Sequence, residues 1–162
     1  MNLIEPCCTQ KHWPEIRRKI GNDGTTFFHG YGDMSINELF PVLFVRYSGV
    51  NMTIVSPNLP NVAAGILKHW MDKPDTIRQL TLITNLNTKK SPNASKWLKE
   101  NPWPGRLILH NIQQNDTAIL LPEIAIYGAI NLANSGHFTA LATTNQRVIQ
   151  NLRSVYESLI NR

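Results

Sequence analysis

Residues 128–131 read Gly-Ala-Ile-Asn and leave the apolar run Ile124–Tyr127, with a second apolar run, Phe138–Thr143, starting soon after. Chains that handle phosphodiesters often carry Gly-Ser-x-Asn in this kind of place. Gly128 and Asn131 are therefore the first candidates for holding a phosphate, against the alternative of an ordinary hairpin turn. A second set of polar residues falls in the loops that follow the expected strands: His29, Tyr31 and Asp33; Ser56 and Asn58; Asn85, Asn87, Lys89 and Lys90; His110 and Asn111. In open parallel sheets ligands bind beyond the carboxyl ends of the strands. Amides, imidazoles and two lysines gathered there would suit an anion, helped by helix N-termini. The plainer account is that Asn, Ser and Gly fill such loops because they make turns.

Single residues divide the same way. Lys89-Lys90-Ser91-Pro92 is the best phosphate-contact segment, although a dibasic loop is usually only solvated. His29 and Asp33 have the types of a base and its orienting carboxylate, or are incidental loop neighbours. His12, His69 and His137 stand alone and read as surface or packed residues. Trp97 and Trp103 bracket a proline-rich turn and are expected to pack it, with stacking on bases as the alternative. No P-loop, GxGxxG, HExxH or GxSxG occurs, so no cofactor is expected; no Cys/His spacing suits a metal.

Those residues need a scaffold, and the chain is long enough to build one. Its 162 residues suit a single domain with a proper core, and 42% apolar against 17% charged residues excludes a disordered chain. No apolar run approaches the ~20 residues that span a bilayer, so no membrane association is expected. The N-terminus lacks a basic start followed by an apolar stretch, and Cys7 and Cys8 are adjacent, which makes a poor disulfide. A cytoplasmic location is the expectation. The net charge of +5 is compatible with DNA or RNA as partner, although the basic residues are scattered.

Residues 1–24 read as a peripheral segment with a short helix around Pro14–Ile20, and residues 25–162 as one domain. Thr25–Phe28 reads as a strand. Ser35-Ile-Asn-Glu38 fits a capping box, and Ile36, Leu39, Phe40, Leu43, Phe44 and Tyr47 follow at helical spacing. Val50–Val55 is the next strand, and Asn61 is placed to cap a helix through Met71. Leu80–Ile83, a short helix near Asn93–Glu100, and the strand Arg106–Leu109 come after it. Thr117–Leu121, Ile124–Tyr127 and Phe138–Thr143 have no helix between them and read as an antiparallel set. The last helix aligns Val148, Ile149, Leu152, Val155, Tyr156, Leu159 and Ile160 on one face. The order is β-α-β-α-β-α-β-β-β-β-α: an α/β fold with a mixed, mostly parallel sheet flanked by helices.

This order, with Gly128-Ala129-Ile130-Asn131 near its end, resembles one half of the phospholipase D superfamily, over residues 25–161. The resemblance implies a phospholipase D-like α/β sandwich and a homodimer, because the family's single-copy nucleases pair their halves. It also implies His-x-Lys and then Asp upstream of the turn: a nucleophilic His, Lys and Asn on the phosphoryl oxygens, and Asp orienting a His. Counting back from Gly128, the His position falls at Gln114 or Asn115, the Lys position at Asp116 or Thr117, and the Asp position near Pro122 or Glu123; the serine is Ala129. An amide is no phosphorus nucleophile, and neither Asp nor Thr supplies a cation. His110 comes four residues too early, with Ile112 where the Lys should stand. Such a slip displaces a side chain by ~13 Å at ~3.3 Å per residue. The leading expectation is a catalytically degenerate domain that serves as a binding or assembly module with weak nucleic-acid binding. The alternative is an active phosphodiesterase or nuclease with a site relocated to His110 with Asn131, or to His29 and Asp33.

Overall fold

A computed structural model describes residues 2–4, 25–30, 43, 47–86, 89–129 and 138–162. The expected helices at Pro14–Ile20 and Ser35–Tyr47 fall mostly outside these residues; of the second, Leu43 is helical and buried.

Eight strands form one sheet in the order β1-β2-β8-β7-β6-β3-β4-β5. They are β1 (Asn2–Ile4), β2 (Thr25–Gly30), β3 (Val50–Ser56), β4 (Ile77–Thr84), β5 (Leu107–Asn111), β6 (Ala118–Leu120), β7 (Ala125–Ala129) and β8 (Phe138–Thr143). The pairings β1–β2, β3–β4 and β4–β5 are parallel, and the junctions at β6 and β8 are antiparallel. Following those directions across the sheet, β1 to β5 and β7 all run one way, and only β6 and β8 oppose them. The expected mixed, mostly parallel α/β sheet is what forms. β1 is a strand that the sequence reading did not place; three residues are too few to show a periodicity.

The helices lie on both faces, as buried parallel strands require. β4 reads Ile-Arg-Gln-Leu-Thr-Leu-Ile-Thr and is buried on both sides over its second half. On one face, α1 (Asn61–Met71) and α2 (Pro92–Glu100) bring Ala63, Ala64, Leu67, Met71, Ala94 and Leu98 onto Met52, Ile54, Leu80, Leu82 and Ile126. The small residues Ala63, Ala64 and Ala94 let these helices sit close to the sheet. On the other face, α3 (Gln146–Ile160) lays Ile149 and Tyr156 on Val55, Ile83, Ala118, Leu120 and Ala125. Leu82→Ala would open a cavity in the first core at a cost of about 2–5 kcal/mol.

Two local expectations need correction. Asn61 does not cap α1: Pro60 holds that position with no side-chain cap, and the Asn61 Oδ1 instead accepts from the Ala94 N–H of α2 at 2.9 Å. The α1–α2 packing offered that amide a better-placed donor. Val155 is 53% exposed, off the buried stripe, because α3 covers the sheet through Ile149 and Tyr156 and its flank faces outward.

Candidate functional site

The carboxyl ends of β3, β4, β5 and β7 and the amino ends of β6 and β8 share one edge of the sheet, a consequence of the strand directions. Along it stand Ser56, Thr84 and Asn111 in one register row, with Val55, Ala118 and Tyr127 in the next. The buried hydroxyl residues Ser56, Thr84 and Thr117 gather here. Both α1 and α2 begin just after this edge and aim their N-termini at it, where partial positive charge favours anions.

Gly128 lies on this edge with φ 137, a backbone shape that side-chain-bearing residues rarely adopt. Its N–H donates to the carbonyl of Thr117 at 3.2 Å and extends the β6–β7 hairpin by one bond. The glycine of the motif is thus explained by backbone geometry alone. Asn131 lies outside the described residues, as do Tyr31, Asp33 and Asn87.

Of the residues implied for the His station (Gln114 or Asn115) and the Lys station (Asp116 or Thr117), Gln114 and Asp116 interact, and Thr117 is buried. Gln114 Oε1 accepts from the Asp116 N–H at 2.6 Å, while its Nε2 is buried with no partner. Asp116 is exposed, and its negative charge helps push the Tyr156 phenol up to about 12, after burial as the larger cause.

The loop residues divide between structural and open roles. The Asn111 Oδ1 accepts from the Leu86 N–H at 2.9 Å and ties the end of β5 to the loop after β4. Asn58 is exposed, and its carbonyl accepts from the Ser56 hydroxyl. Asn85 is half-buried at the end of β4; Lys89 and Lys90 are exposed in the turn before α2. His29 is in register with Thr139, and Thr139 with Ala129, so the backbone of His29 belongs to the same end of the sheet as the glycine turn.

His110 is not brought to that turn. The strands β6, β3 and β4 separate β5 from β7, four spacings or ~19 Å at ~4.8 Å each. His110 lies instead on the face covered by α3, half-buried beside a cavity. His69 is exposed and contacts Lys73 at 3.0 Å; His12 and His137 lie outside the described residues. Trp97 and Trp103 meet edge to face at 5.2 Å, packing the proline-rich turn as expected.

Sequence reading missed Thr84, whose hydroxyl is fully buried with no partner. It ends a β-branched and apolar strand and gives no signal of its own. Among the described residues, no group of three or more His, Cys, Asp or Glu is placed to hold a metal, and no helix is long and apolar enough to cross a membrane.

No protein-family model matches this chain, and no curated protein matches it by sequence. Solved structures do. NucT from Helicobacter pylori superposes with a TM-score of 0.51 at 13% identity, covering 68% of this chain and 79% of NucT. Polyphosphate kinase from Porphyromonas gingivalis gives 0.62 at 10% identity over 93% of this chain but 28% of the kinase. TrmBL2, an archaeal chromatin protein whose structure shows a novel mode of DNA binding, gives 0.55 at 11% identity over 92% of this chain and 56% of that one. The chain has a phospholipase D-like α/β fold.

Proposed function

We propose that this chain is a phospholipase D-like module that binds the phosphodiester backbone of nucleic acid at the carboxyl edge of its sheet and has lost the means to cleave it. One observation supports the reading: at the stations that the resemblance implies for the nucleophile (Gln114 or Asn115) and the cation (Asp116 or Thr117) the chain offers no imidazole and no lysine, and the Gln114 oxygen is spent on the Asp116 backbone. Binding is supported by Lys89 and Lys90 exposed beside that edge, by the two helix N-termini aimed at it, and by the net charge of +5. The DNA binding of TrmBL2, on a similar fold, points the same way. Asn131 and the Gly128 turn would supply further phosphate contacts. The module works as a cytoplasmic homodimer, residues 25–162 forming its single domain and residues 1–24 a peripheral segment that adds the edge strand β1 to its sheet.

The test is a labelled single-stranded oligonucleotide incubated with the protein in EDTA and followed for both retention and cleavage. Retention without cleavage is the expected result. Metal-independent cleavage that His29→Ala or His110→Ala abolishes, with the melting temperature unchanged, would replace this reading by an enzyme with a relocated site.

A further inference from the structure

The face of the sheet under α3 is only partly covered. α3 lies over β3, β6 and β7, and a cavity of ≈ 230 Å³ remains between its flank and β4–β5. The floor is Thr53, Thr81, Ile83 and Leu120; the outer wall is Ile108 and His110, alternating outward on β5. Arg153, Tyr156, Glu157 and Ile160 form the helix wall. Their i, i+3, i+4, i+7 spacing puts all four on one side of α3.

Three polar groups line this cavity with no hydrogen bond or ion pair to another described residue. Tyr156 is 5% exposed as a residue, but its hydroxyl is not one of the fully buried unpartnered atoms, so the oxygen opens outward rather than into packed protein, with no hydrogen bond to a described residue. Arg153 makes no ion pair among the described residues, even though Glu157 follows it by four. The His110 ring is half-buried and equally without a partner among them. The Tyr156 phenol is protonated at neutral pH, as any tyrosine is, and so can donate to an anion. Apolar walls with a few convergent polar groups are the general make-up of a small-molecule site.

We infer that this cavity binds a small planar anion, an aromatic carboxylate of one or two rings, with its apolar body between Ile83, Ile108 and Ile160 and its carboxylate on Arg153 and the Tyr156 hydroxyl. The site lies between α3 and β4–β5, with the Asp116 charge within reach of the Tyr156 phenol, and does not depend on nucleic-acid binding at the sheet edge. Glu157, exposed on the helix wall, repels any anion, a dianion about twice as strongly as a monoanion, which favours a single carboxylate.

The probe is 1-naphthoate, titrated into the full chain while methyl resonances of isoleucine and leucine are followed by NMR. Saturable shifts confined to Ile83, Ile108, Leu120 and Ile160 are expected. Arg153→Gln should weaken binding at least about tenfold, Ile108→Trp should block it by filling the trough, and neutral 1-naphthamide should bind at least about tenfold more weakly than the acid. Both variants alter partly exposed positions, and their unshifted spectra elsewhere will report an intact fold. Absence of saturable shifts, shifts at other methyls, or equal affinity for the acid and the amide would each overturn the proposal, as would wild-type affinity in Arg153→Gln.

Discussion

Gly128 carries a positive φ of 137 on the edge where β7 ends, and that requirement comes before any ligand. Gly128→Ala should cost about 1–3 kcal/mol of stability, read as a lower urea midpoint with an unchanged slope. The glycine of Gly-Ala-Ile-Asn is thus required by its backbone shape, whatever the turn binds. Gln114 and Asp116 were legible as departures from the pattern, but not the hydrogen bond between them. Tyr156 was legible only as one of seven apolar positions on a helix. Its phenol ionises near 10.0 when unfolded and at about 12 when folded. Between those values the unfolded chain releases a proton that the folded one keeps, so stability should fall as pH rises from about 10 to about 12. Chemical denaturation across that range should show the loss, and Tyr156→Phe should remove it.

Helices and strands were legible where the apolar period was long. α3 begins where Asn145 accepts from the N–H groups of Arg147 and Val148 at 3.0 and 3.3 Å, as a cap does. Asn61, the same residue type before a similar apolar run, caps a neighbouring helix instead, because that choice depends on packing that no local sequence encodes. Each Asn→Ala change should cost about 0.5–2 kcal/mol. Hydrogen exchange should locate the loss of protection differently: in the first turn of α3 for Asn145→Ala, and in the first turn of α2 rather than α1 for Asn61→Ala. Equal fraying of α1 and α2 would contradict the cross-helix cap. The pairing order was harder to read, since the insertion of β8, β7 and β6 between β2 and β3 is a long-range choice. It decides the candidate site all the same, by bringing Gly128 beside Thr117 and keeping His110 four strands away.

Across the whole molecule, the sheet gathers hydroxyls, amides and two helix N-termini on one edge, while the conflict of charge at Asp116 sits within it. The excess of five positive charges is spread over the chain, so affinity for a polyanion should be weak and dominated by phosphate contacts. If pairing of two chains completes the binding surface, sedimentation should return twice the 18.4 kDa chain mass. The most direct test is fluorescence anisotropy of labelled single-stranded DNA across a salt series. Three phosphate contacts predict a slope of log affinity against log salt of about −2, at about −0.7 per contact, and Lys89→Ala with Lys90→Ala should reduce it by about 1.4. Absence of binding even at low salt, or a slope untouched by removing both lysines, would contradict a phosphate-binding edge.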